Sequence, residues 1–130
     1  MTGPSIHTGS LSLIRDARLF MRRPDLLDDL DDVRRTVELA PSQLADLDAP
    51  ADWVLRLGRM RLAEFLPDGG ELCRAVLQAG SCFVTRDEPA EADTGRLDLD
   101  RTTLMALGDA RLWRLPPGTF DDIFGGSHVR

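Results

Sequence analysis

From residue 36 onward, apolar residues come in short runs that alternate with polar ones and are broken by turn chemistry. Thr36–Leu39 alternates and stops before Pro41. Trp53–Leu57 stops at Gly58. Met60–Leu66 runs into Pro67-Asp68-Gly69-Gly70, and Glu71–Leu77 resumes beyond it. An Asp-Gly pair between two alternating runs supplies the positive-φ positions of a tight turn, so 60–77 predicts a hairpin. Cys82–Thr85, Thr102–Leu107 and Ala110–Leu115 read as further strands. The stretch 86–100 is rich in Asp, Glu, Pro and Gly and predicts a long surface loop, with a weak strand near Leu97–Leu99. Short strands with turns every 8–12 residues indicate a sandwich or barrel.

The ends follow another period. Leu13, Ala17 and Phe20 or Met21 have helical spacing, which predicts a short helix over 11–22. Leu26, Leu27, Leu30 and Val33 repeat that spacing behind Pro24, with Asp25 and Asp28 in the first turn, which predicts a second helix over 24–32. A last helix is predicted from Thr119 to Phe124, ended by Gly125-Gly126. The expected class is mainly β: a double-stranded β-helix, or jelly-roll, flanked by short N- and C-terminal helices. Its divisions are a flexible tail over 1–10, a helical segment over 11–35, the β-roll over 36–115, and a C-terminal helix and tail over 116–130.

Composition adds limits. The chain has 130 residues, 42% hydrophobic and 29% charged, which suits one globular domain. All 16 basic residues are Arg and the net charge is −6, so broad electrostatic contact with nucleic acid is not expected. Arg22-Arg23 and Arg34-Arg35 lie near Asp25, Asp28, Asp29, Asp31 and Asp32, the pattern of a solvated mixed-charge surface. No signal segment and no apolar run of membrane-spanning length is present, which points to the cytoplasm.

Candidate chemistry is sparse. Cys73 and Cys82 have no metal-ligand spacing and read as small buried thiols. His7 and His128 lie in opposite tails. There is no Ser/His/Asp arrangement, phosphate loop or tuned carboxylate pair, so no catalytic residue, no metal ligand and no cofactor is assigned. Trp53 and Trp113 read as core. A cupin-like enzyme shares the double-stranded roll but needs His and Glu ligands on barrel strands, and no His lies between residues 8 and 127.

The order of these strands resembles the cyclic-nucleotide-binding domain of Crp/Fnr-type regulators. The resemblance is carried by the segments GRMRL at 58–62, LPDGGE at 66–71, LQAGSCF at 77–83 and LMALGDARLWRLPPGTF at 104–120, with Arg18–Phe20 and Leu26–Leu30 similar to the family's first helices. It implies a sensor or regulatory domain of a bacterial transcription regulator. In that family a Gly-Glu pair opens a short phosphate-binding helix, and an Arg followed by Ser or Thr closes the segment; helix amides and Arg hold the phosphate, and Glu holds the ribose. Here Val84 and Thr85 stand at the Gly and Glu positions, and Asp100 stands at the Arg position with Arg101 one place late. The intervening segment carries Asp87, Glu88, Glu91 and Asp93. The expectation is a degenerate cassette that has lost the usual cyclic-nucleotide binding. Arg101 and Thr102 are the candidate ligand-binding residues in a shifted register.

The resemblance further implies an unidentified protein partner or small-molecule effector, with Phe120, Ile123 and Phe124 as candidates for a homodimer contact or for packing on the barrel. The family's long dimerisation helix and helix-turn-helix have no counterpart in these residues, so direct DNA binding by this chain is not expected, nor is membrane association. A sensor domain for another small ligand, held behind the 86–100 loop, is the alternative.

Overall fold

In the computed structural model, residues 9–14, 30, 32–88 and 96–122 are described. Nine strands follow in order: β1 Ser10–Ile14, β2 Arg35–Leu39, β3 Ala51–Leu57, β4 Arg59–Phe65, β5 Glu71–Gln78, β6 Cys82–Arg86, β7 Leu97–Asp98, β8 Thr102–Ala106 and β9 Ala110–Leu115. They form a six-stranded sheet in the order β2-β9-β3-β6-β1-β7 and a three-stranded sheet in the order β5-β4-β8, with every pairing antiparallel. This is the jelly-roll expected from the strand pattern.

The pleat sorts the side chains. Leu11, Trp53, Leu55, Phe83 and Leu112 project inward from the large sheet and meet Met60, Leu62 and Leu104 of the small one in the main core. Alternate positions on the large sheet, Val54, Cys82, Trp113 and Leu115, form a second cluster on its outer face with Leu30 and Phe120. The Trp53-Val54-Leu55 run of β3 is therefore apolar at successive positions because both its faces are covered. Between β4 and β5, Leu66 and Gly70 pair through their backbones at 2.8 Å, and Gly69 takes φ +92°. The Asp-Gly turn performs the role its sequence implied.

The N-terminal expectation needs correction. Ser10–Ile14 is a strand rather than a tail end and the first turn of a helix. Leu11 is buried and pairs opposite Thr85, and Leu13 lies opposite Phe83. The period-two pair Leu11/Leu13 prevails over the helical frame Leu13/Ala17/Phe20, because β6 offers a ladder that an isolated short helix lacks. The rest of that predicted helix, and the one over 24–32 apart from Leu30 and Asp32, lie outside the described residues. At the C-terminus residues 119–122 are helical; Ile123 and Phe124 lie beyond the description. No helix among the described residues is long and apolar enough to cross a membrane.

Candidate effector site

The segment that the resemblance aligns with a phosphate cassette runs from the end of β6 to the start of β8. Thr85 is fully buried on the inner face. Its hydroxyl accepts from the Ala51 N–H and the Trp53 indole N–H, each at 3.1 Å, and donates to the Ala49 carbonyl at 3.0 Å. The hydroxyl that the resemblance aligns with a ribose-binding carboxylate is thus used in tying β6 to β3. Beside it Trp53 and Phe83 stack, with ring centroids 5.7 Å apart and planes 7° apart, and fill the inner face there.

Arg86, the last residue of β6, turns to the outer face. It pairs with Asp52 at 2.7 Å and donates to the Thr85 and Ala51 carbonyls at 2.9 and 3.2 Å. Asp52 is fully buried, and its other carboxylate oxygen accepts from the Phe120 N–H at 2.7 Å. The Gly118 N–H donates to the oxygen that pairs with Arg86, at 3.4 Å. One carboxylate therefore joins β3, β6 and the start of the C-terminal helical turn. The sequence reading missed this arrangement; its only local signal was an Asp inside a strand apolar on both faces.

Residues 89–95 lie outside the described residues. The chain re-enters at β7 and passes through a single 3-10 turn, Leu99–Arg101. Asp98 caps that turn by accepting from the Asp100 N–H at 3.0 Å. Arg101 is exposed at its end. Thr102 is buried, and its hydroxyl donates to the Asp98 carbonyl at 2.7 Å. The two candidate ligand-binding residues are adjacent but not convergent: one faces solvent and the other closes the turn. Thr102, Leu99 and Asp100 border a groove of about 270 Å³ whose opposite wall carries Asp46 and Asp48. That wall is unfavourable to a phosphate.

The remaining candidates sort by burial. Phe120 packs in the outer cluster, on the barrel. Trp53 and Trp113 are core, as read. Cys82 is buried, and burial together with the Asp52 charge pushes its thiol up to about 12. Cys73 is exposed, contrary to expectation. It lies on β5, the edge of the small sheet, where Leu77 is the buried hydrophobic side chain. Among the described residues no group of three His, Cys, Asp or Glu side chains is placed to hold a metal ion.

Strand order, the two-sheet roll and the helical turn after β9 give a double-stranded roll similar in fold to Crp/Fnr-type sensor domains. Solved structures share it. The N-terminal domain of a transcriptional regulator from Streptomyces coelicolor A3(2) superposes with a TM-score of 0.56 at 19% identity, covering 86% of this chain and 80% of that one. The heme domain of CooA from Carboxydothermus hydrogenoformans gives 0.56 at 16% identity, covering 85% and 75%. Reduced CprK without ligand gives 0.55 at 19% identity, covering 77% and 45%. The chain spans 41% to 66% of the length of other CprK and CooA chains it resembles. No family model and no curated protein matches the sequence.

Proposed function

We propose that this chain is a non-enzymatic regulatory domain of the Crp/Fnr sensor type that has given up the usual cyclic-nucleotide binding and acts through a protein partner or another effector. The observation that carries this reading is Thr85. A hydroxyl replaces the carboxylate that would hold a ribose, and its hydrogen bonds go to Ala51, Trp53 and Ala49. The Trp53–Phe83 stack occupies space next to it, and Asp100 stands where the phosphate-binding Arg would be. Isothermal titration of the chain with cyclic AMP, cyclic GMP and cyclic di-GMP tests the proposal. The expected result is no saturable heat. Micromolar cyclic-AMP binding that fails in Arg101→Gln refutes it.

A second reading, a sensor for a different small ligand, is favoured by the groove between Leu99–Thr103 and Leu44–Asp48. Its acidic wall selects against anions and for a neutral or cationic molecule. A thermal-shift screen against a metabolite panel separates the two readings: a reproducible hit that is lost on substitution at Thr103 supports a sensor, and a null panel supports a partner-binding module.

A further inference from the structure

A transverse row of side chains crosses the inner face of the large sheet. Phe83, Trp53, Arg114 and Arg35 are direct cross-strand neighbours on β6, β3, β9 and β2. The row starts as the aromatic stack and continues with the Arg114 guanidinium over the Trp53 ring at 5.8 Å. It ends with two arginines placed opposite each other. Like charges directly opposed on an antiparallel pair are destabilising. Three residues along the same two strands, Arg111 faces Glu38 and forms the complementary ion pair at 2.9 Å. At Arg35 and Arg114 the carboxylate is missing. Among the described residues neither guanidinium has a hydrogen bond or ion pair, and Asp46 and Asp48 share a neighbouring groove with Arg114 without pairing with it.

Both arginines open into a recess of about 310 Å³. Its other walls are Val33, Leu115 and three prolines, Pro50, Pro116 and Pro117. That volume falls at the lower end of small-molecule sites, roughly 300–1,000 Å³. Prolines carry no N–H, so these walls offer few further donors to an anion. Two guanidinium forks match the two oxygens of a carboxylate, whereas a phosphate would leave oxygens facing apolar walls.

We propose that this recess binds a small organic carboxylate, its oxygens bridging Arg35 and Arg114 and its apolar body resting on Val33, Leu115 and the prolines. The site is at the β2–β9 edge of the large sheet, whereas β7 and the Leu99–Arg101 turn are at the opposite edge. It is therefore separate from the cassette region, and cyclic-nucleotide titration does not read on it.

The test is isothermal titration and thermal melting of the chain at constant ionic strength, with benzoate, benzamide and inorganic phosphate as probes. Benzoate is expected to bind saturably and raise the melting temperature, benzamide to do neither, and phosphate to bind at least ten times more weakly. Arg35→Gln and Arg114→Gln are each expected to weaken benzoate at least tenfold. Because Arg114→Gln also removes the contact with Trp53, Arg35→Glu provides the independent arm. It supplies the missing carboxylate opposite Arg114, so the free protein should melt higher than wild type and lose its response to benzoate. No saturable benzoate response, equal binding of benzamide or phosphate, or unchanged benzoate affinity in Arg35→Gln overturns the proposal.

Discussion

At the scale of single residues, Asp52 joins β3, β6 and the C-terminal helical turn. A buried carboxylate is costly unless its charge and lone pairs are met, and here Arg86 and two backbone N–H groups meet them. Asp52→Ala would leave the partly buried Arg86 uncompensated and uncap the helical turn. It is expected to cost about 3–5 kcal/mol, the range for breaking one side of a buried pair. The double variant Asp52→Leu/Arg86→Met should cost markedly less than Asp52→Ala alone, read by urea denaturation; equal losses would show that the pair's charge is not what matters.

Cys82 gives a second residue-scale expectation. Its folded thiol titrates near 12, against 9.0 ordinarily, so above 9 the unfolded chain loses a proton that the folded chain keeps. This contribution is fully present below pH 9 and is lost as pH rises towards 12. Stability should therefore fall across that window more steeply in wild type than in Cys82→Ala. In a labelling experiment at neutral pH, the exposed Cys73 should react with a maleimide at once and Cys82 only on unfolding.

At the scale of elements, the turns are as specified as the strands. Gly58, between β3 and β4, takes φ +85°, and a Cβ there would lie 2.2 Å from the Asp109 carbonyl oxygen in the turn between β8 and β9. Gly58→Ala should therefore cost more than the ~1–2 kcal/mol of a left-handed residue alone. Gly69→Ala, where a Cβ meets nothing within 4 Å, should cost only that conformational part. Thermal melts of the two variants distinguish them; equal losses would mean the two turns are not in contact.

The strands from β2 to β6, together with β8 and β9, were legible because short apolar or alternating runs ended at Gly, Pro or Asp-Gly turns. β1 was not, because Leu13 belongs equally to an alternating and a helical frame and its partner β6 lies some seventy residues away. The exposure of Cys73 was hidden for a related reason. Alternation identifies a strand but does not say that β5 forms an edge with little laid over it. That Arg101 and Thr102 stand at the start of a strand could be read, since β8 begins at Thr102. Their side-chain directions could not, since these depend on the 3-10 turn. The Asp52 link was invisible, because its partners are 34 and 68 residues distant.

At the scale of the whole molecule, two apolar clusters explain how an acidic chain whose basic residues are all Arg holds this roll. The inner cluster closes the roll, and the outer one fixes Leu30 and Phe120 to the sheet. The fold is retained because packing, not ligand chemistry, specifies it. The proposed loss of nucleotide binding rests on a few inward groups, Thr85 foremost, whose hydrogen bonds are made within the chain.

The most direct test of that account is an amide NMR titration of the chain with cyclic AMP, followed at Thr85, Asp100, Arg101 and Thr102. The account expects these four signals to stay in place up to millimolar nucleotide. A saturable shift that includes Thr85 would contradict it, because it would mean that the hydroxyl's internal bonds yield to a ribose.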